Sequence, residues 1–177
     1  MTLSSLVRDL ETERQALRDA TQHMSAELVE RRPASDRWSV AEILEHLAIV
    51  EKQVAMGLAQ KIAGGTALAP LASDDVGPIA FDASRARDRG GRFKTGPASE
   101  PKGLGIAGAW TALDDSRRVL RDLIDRHGMS ALHQVVLRHP LFGELNAYEW
   151  LAFVAAHDAR HRAQILDTIE TLRSNDR

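Results

Sequence analysis

Apolar residues recur at helical spacing in four separate stretches of the chain. In the first, Leu3, Leu6, Leu10, Leu17, Met24 and Leu28 fall three, four or seven positions apart, which aligns them as one buried stripe of an amphipathic helix. The pattern predicts a helix over about 2–31, stopped by Pro33, because proline lacks a backbone N–H and its ring disfavours helical geometry in the residue before it. A second stretch opens at Ser39-Val-Ala-Glu42. There a hydroxyl and a carboxylate three residues apart can satisfy each other's backbone amides as a capping box, with Trp38 placed to staple onto Ile43. Its stripe of Val40, Ile43, Leu47, Val50, Val54 and Leu58 predicts a helix over about 39–62. A third stripe, Ile106, Trp110, Leu113, Leu120 and Ile124, predicts a helix over about 106–127, ending where Gly128 can take the left-handed C-cap conformation. The fourth begins at the box-like Asn146-Ala-Tyr-Glu149, stapled by Leu145 and Trp150, and carries Leu151, Val154, Ile165, Ile169 and Leu172, predicting a helix over about 146–173.

Between the second and third stretches the periodicity disappears. Residues 64–105 hold 8 of the 12 glycines and 4 of the 6 prolines, too many breakers for a helix. Strand signals are missing and the other connections are short, so the expected fold is all-α: a single domain over 1–177 forming a four-helix bundle with one long crossover. A crossover long enough to run the length of the bundle lets the third helix lie parallel to the second. The order is then up-down-down-up, with the second and fourth helices antiparallel.

Composition narrows the function classes. With 177 residues and 44% hydrophobic content, the chain can bury the core of one ordinary domain. Its 23 basic and 25 acidic residues leave a net charge of -2, so no global field draws it to nucleic acid or to anionic lipid. The absence of cysteine excludes disulfides, thiolate ligands and a cysteine nucleophile. The first residues lack the apolar core of a signal peptide, and no apolar run approaches the roughly 20 residues needed to span a bilayer. A cytoplasmic protein with neither membrane nor nucleic-acid partners is the expectation.

Histidine chemistry remains. His157 and His161 stand one helical turn apart among the buried positions Val154, Ile165 and Leu172, and His46 flanks Ile43 and Val50 on the inner face of the second helix. An i, i+4 histidine pair alone is compatible with a helix surface or a satisfied core. The third inward histidine changes the balance, because imidazoles buried together repel on protonation and invite a cation instead. Measured from the caps, His46 lies about 10 Å along its helix and the pair roughly 16 to 22 Å along its own, so in antiparallel helices the three meet at one level. Three neutral imidazoles without thiolates suit zinc or nickel foremost, with iron, manganese or copper as further candidates, and they leave a coordination position open. Such an ion can acidify water or a substrate thiol brought to it.

These residues, with Trp38-Ser39, Glu42, His46-Leu47, His139-Pro140, Phe142-Gly143, Leu145, Trp150, His157-Asp-Ala-Arg-His161 and Gln164-Ile165, resemble the DinB-like (YfiT-type) superfamily of metal-dependent four-helix-bundle proteins over nearly the whole chain. The resemblance implies three metal-binding histidines, one on the second helix and two on the fourth, at His46, His157 and His161. It also implies a range of activities: S-transferases using bacillithiol or mycothiol, a mycothiol-dependent isomerase, and hydrolases. A homodimer is a further implication. The crossover follows no family pattern, so no substrate contact carries over to it.

Other residues support narrower readings. Glu42 and Glu149 lie near the histidines but are the third residues of capping boxes, which favours a structural role. Asp158 either holds a ligand imidazole through its second nitrogen or pairs with Arg162. Arg160 and Arg162 are expected in solvent, and His139 is expected to shape the approach to the fourth helix. His23, His127 and His133 need no special role, and Trp38, Trp110 and Trp150 are expected to pack. The basic cluster Arg85, Arg87, Arg89, Arg92 and Lys94 reads first as a solvated loop and second as a receiver for an anionic thiol or phosphate. With only Phe81 and Phe93 interleaved, it does not read as a nucleic-acid surface. Three functions stay open: a metal-dependent enzyme transferring a low-molecular-weight thiol to an electrophilic small molecule, a metal-dependent hydrolase, and a non-catalytic metal or small-molecule binder.

Overall fold

Reciprocal caps start the two helices that carry the histidines. The Ser39 hydroxyl accepts the Glu42 N–H at 3.2 Å while the Glu42 carboxylate accepts the Ser39 N–H at 2.8 Å. Asn146 and Glu149 repeat the exchange at 3.0 and 2.8 Å. Each box satisfies amides that a helix end otherwise leaves open. The computed structural model describes residues 2–65, 68–69, 79, 81–88, 96–127 and 132–176. Within them run α1 (Leu3–Thr21), α2 (Ala26–Glu30), α3 (Val40–Ala63), α4 (Ala83–Arg87), a 3-10 turn at Pro97–Ser99, α5 (Gly105–His127), strands β1 (Val136–His139) and β2 (Gly143–Asn146), and α6 (Ala147–Asn175).

Two apolar clusters fix the helix directions. One joins Leu17 of α1, Val40 and Ile43 of α3, Ala109 and Leu113 of α5, and Ile165 and Ile169 of α6. The other joins Leu6 and Leu10, Val54 and Leu58, Leu120 and Leu123, and Leu151 and Val154. The first cluster takes the late part of α1 and α6 but the early part of α3 and α5, and the second reverses this. So α1 and α6 run one way and α3 and α5 the other, the up-down-down-up bundle expected from the pattern. No helix is long and apolar enough to cross a membrane among the described residues.

Three expectations are corrected. The helix expected over 2–31 is two helices: α1 stops at Thr21 and Ser25 starts α2 by accepting the Leu28 N–H, a local bond that competes with helix continuation. The side chain α2 buries is Val29, while Leu28 stays half-buried. The crossover is not structureless, since it contains α4, capped by Asp82, and the turn at Pro97–Ser99. Finally, an antiparallel hairpin precedes α6, pairing Val136 with Asn146 through to His139 with Gly143. Gly143 has φ 79°, a left-handed conformation that glycine adopts without steric cost.

Candidate metal centre

Because α3 and α6 are antiparallel neighbours, His46 faces His157 and His161 across the bundle. One nitrogen from each histidine can be chosen so that all three lie within 4.8 Å of one another. The ring centroids are 5.2 Å apart for His46–His157, 4.9 Å for His46–His161 and 4.4 Å for His157–His161. His46 and His161 are buried and His157 is half-buried. The Trp38 ring lies 5.1 Å from that of His46, and Phe153 stacks on His157 at 5.3 Å.

The outer nitrogens settle which atoms face inward. His46 Nδ1 lies 2.7 Å from the Ser99 carbonyl oxygen, and His161 Nδ1 lies 2.8 Å from Gln164 Oε1. The Ser99 carbonyl can only accept, so His46 Nδ1 carries the proton, and with the Gln164 amide oxygen turned to it His161 Nδ1 does the same, leaving each ring its Nε2 lone pair. His161 Nε2 then stands 3.1 Å from His157 Nε2. Two nitrogens bound to one tetrahedral ion at about 2.0–2.1 Å stand about 3.4 Å apart, so this spacing fits a shared cation with little movement.

Electrostatics favours neutral rings. Burial pushes the His46 pKa below 6.5, against the opposing bond to Ser99. His157 is pushed well below 6.5, first by burial and then by repulsion from His161, His46, Arg160 and His139. An imidazole that resists protonation is ready to bind a metal at neutral pH.

Nearby residues have other occupations. Glu42 and Glu149 are held in their caps, as expected. Asp158 follows neither expected course: its Oδ2 lies 3.6 Å from both Arg14 and Arg117, while Arg162 pairs with Glu13 at 3.4 Å. Burial, aided by Glu51 and opposed by the two arginines, raises Asp158 to a pKa of about 7. Arg160 and Arg162 are half-buried rather than solvated, since both lie on the flanks of a helix packed on two sides. His139 is buried and accepts the Leu141 and Phe142 N–H groups at 3.0 and 3.3 Å. Its ring packs on Phe142, Trp150 and Phe153, and burial pushes its pKa down to about 4. It thus braces the hairpin against the start of α6. His23 is exposed, and His133 stacks 6.4 Å from Tyr148. In the basic cluster, Arg85 sits 5.5 Å over the Phe142 ring and Arg87 is exposed, whereas Arg89, Arg92, Lys94 and Phe93 lie outside the described residues.

Two groups escaped the sequence reading. Arg14, Glu51, Arg117 and Asp158, one from each long helix, form a buried charged layer between the two apolar clusters. Glu51 bonds Arg14 and, at 2.5 Å, Arg117, while the arginines also donate to the Leu113 and Leu10 carbonyls at 2.9 and 3.1 Å. The second group is Glu45 and Gln53, which hold the end of the crossover against α3.

An up-down-down-up bundle with three convergent imidazoles between antiparallel helices defines a class of histidine-clustered helical-bundle proteins. The chain belongs to the DinB superfamily, whose sequence profile matches residues 9–165. Uncharacterized protein YuaE of Bacillus subtilis is 26% identical over 151 residues, covering 84% of this chain and 88% of YuaE. TT2238, a four-helix bundle protein, superposes with a TM-score of 0.61 at 20% identity, covering 93% of this chain and 98% of that one. YfiT from Bacillus subtilis, described as a probable metal-dependent hydrolase with an unusual four-helix bundle topology, superposes with a TM-score of 0.60 at 13% identity. That match covers 98% of this chain and 87% of YfiT.

Proposed function

We propose that His46, His157 and His161 hold one divalent transition metal, zinc or nickel foremost, and that the protein uses it to transfer a low-molecular-weight thiol to an electrophilic small molecule. The observation that carries this reading is the convergence of one ring nitrogen from each of the three histidines, with Nδ1 of two rings committed outward to Ser99 and Gln164. When bound, the metal supplies a Lewis acid that makes a thiol or a water acidic near neutral pH. The chain does the rest: Ser99 and Gln164 orient two rings, burial keeps the imidazoles unprotonated, and Trp38 and Phe153 flank the trio with aromatic surface.

Thiol transfer is favoured over hydrolysis by the state of the carboxylates. Expelling an ester or amide leaving group calls for a positioned proton donor. Among the described residues, Glu42 and Glu149 are bound in caps and Glu45 binds backbone amides, while the Asp158 carboxyl, raised to about 7 by burial, lies in the charged layer beside two arginines. A thiolate displacing an activated halide forms a thioether and releases a halide anion that needs no proton. The sulfur must come from a cosubstrate, since the chain has no cysteine. Hydrolysis is the second reading, supported by the description of YfiT. A cytoplasmic location, where such thiols are kept reduced, and a homodimer belong to the same proposal; sedimentation tests the latter.

The test is consumption of glutathione, mycothiol and bacillithiol, each with a panel of electrophiles, by metal-loaded protein. Metal-dependent loss of a thiol that chelation and His157→Ala abolish supports the proposal. Hydrolysis of a simple ester with the same chelator sensitivity, and no thiol loss, replaces it with the second reading.

A further inference from the structure

His46 makes contacts on both sides of its ring. Nε2 faces the other two histidines, while Nδ1 donates to the Ser99 carbonyl at 2.7 Å. Ser99 belongs to the end of the crossover, and that segment is fastened to α3 on both sides of His46. On one side, Gln53 donates to the Ala98 carbonyl at 2.9 Å and accepts the Ser99 hydroxyl at 3.0 Å. On the other, the Glu45 carboxylate accepts three successive backbone N–H groups, from Lys102 at 2.7 Å, Gly103 at 2.9 Å and Leu104 at 3.0 Å. Glu45 is 2% exposed. The amides it accepts immediately precede α5, so this α3 carboxylate also lies against the positive end of that helix.

The convergence of three amides on one carboxylate depends on local backbone. Gly103 has φ 87° and Gly105 has φ 69°, left-handed conformations that let consecutive N–H groups point to one side and form an anion cradle. A carboxylate receiving several N–H groups makes charge-assisted bonds, roughly twice as strong as neutral ones. The segment 98–104 is therefore docked as a strap, and its anchor is next in sequence to a candidate ligand.

We propose that Glu45 is a positioning residue for the metal centre: by docking the 98–104 strap it places the Ser99 carbonyl on His46 Nδ1, so metal binding and strap docking are thermodynamically coupled. This inference rests on the metal-centre reading. With the strap docked, His46 is held in the tautomer and orientation a ligand needs. With the strap released, Nδ1 loses its acceptor and the ring can turn or exchange its proton. Partners of this kind typically set metal affinity by 10- to 100-fold when removed. Coupling is reciprocal, so metal must in turn hold the strap down by the same factor.

The experiment uses the full chain and zinc or cobalt alone, with affinity measured by chelator competition and strap docking by amide hydrogen exchange at Lys102, Gly103 and Leu104. Glu45→Gln keeps the side-chain shape but replaces one acceptor oxygen with a donor that opposes the amides. Lys102→Pro removes one of the three N–H donors from the other side and leaves α3 untouched, so it decides the matter if Glu45→Gln folds poorly. The expected results are an affinity loss of about tenfold or more in each folded variant, and slower exchange at the three amides of the parent when metal is added. Unchanged affinity in the variants of a parent that binds metal overturns the coupling and spares the metal centre. A parent that takes up no metal overturns both.

Discussion

The histidine cluster and the charged layer of Arg14, Glu51, Arg117 and Asp158 are neighbours in the same bundle interior, yet they handle burial in opposite ways. The charged layer meets most of its needs from within: two arginines meet two carboxylates and also donate to backbone carbonyls on α1 and α5, while Arg14 Nε, Arg117 Nη2 and Asp158 Oδ2 make no hydrogen bond among the described residues. Its opposite charges come from the chain's own four long helices. The histidines bring ring nitrogens together, with the proton of two rings already committed outward. Polar groups buried in a core are tolerated when their partners are present. The first group finds its counter-charges within the chain, and the second, in the proposed reading, takes its counterpart from a metal ion.

That contrast breaks most sharply at Glu51. Glu51→Ala leaves Arg14 and Arg117 without their main counter-charge, in a layer where Glu51 is 1% exposed. The expected loss is about 3–5 kcal/mol of stability, measured by denaturant unfolding. A loss below 1 kcal/mol would mean that water or Asp158 compensates the arginines.

A ligand should separate the two regions next. At a metal concentration about 100 times the dissociation constant, the parent should gain about 2.7 kcal/mol of stability, and His157→Ala should gain far less. In a Glu51 variant that stays folded, most of this increment should survive, because its side chain bonds to the charged layer. Equal stabilisation of the parent and His157→Ala would place metal binding elsewhere.

Smaller effects test the scaffold. Ser39→Ala should cost about 1 kcal/mol through loss of the cap on α3 and leave metal stoichiometry alone. Acidification gives a directional test on the metal-free protein. Below 6.5 the unfolded chain takes up protons that folded His46 and His157, held lower chiefly by burial, resist. Their contribution to stability therefore falls as pH drops from 6.5 towards their folded values. Asp158, raised to about 7, acts in the opposite sense above 3.8, so the histidine part is read as the difference between the parent and His157→Ala. If the two acid profiles superimpose, the burial of His157 is not what sets its protonation.

The same contrast explains what could be read from the chain. His46, His157 and His161 were legible because they sit at stripe positions of two capped helices whose lengths bring them level. The caps were legible because Ser39-x-x-Glu42 and Asn146-x-x-Glu149 are local chemistry. The charged layer was hidden in plain sight: Arg14 stands midway between Leu10 and Leu17, Glu51 between Leu47 and Val54, Arg117 between Leu113 and Leu120, and Asp158 four past Val154. Each occupies a stripe position, but a lone charge there reads as the edge of a helix until its partners on three other helices are known. Glu45 was obscured in the same way, since its partners are backbone amides more than 50 residues on. The hairpin was missed because two strands of four residues are too short to show alternation, and the break after Thr21 because the apolar spacing continues through it to Leu28.

The central claim is that the histidine trio is built for a divalent metal, and its most direct test is the metal content of the purified protein after dialysis against zinc, compared with His46→Ala, His157→Ala and His161→Ala. The account predicts about one ion per chain in the parent and weakened binding in each variant. A parent that retains no metal, or three variants that retain it as the parent does, would contradict it.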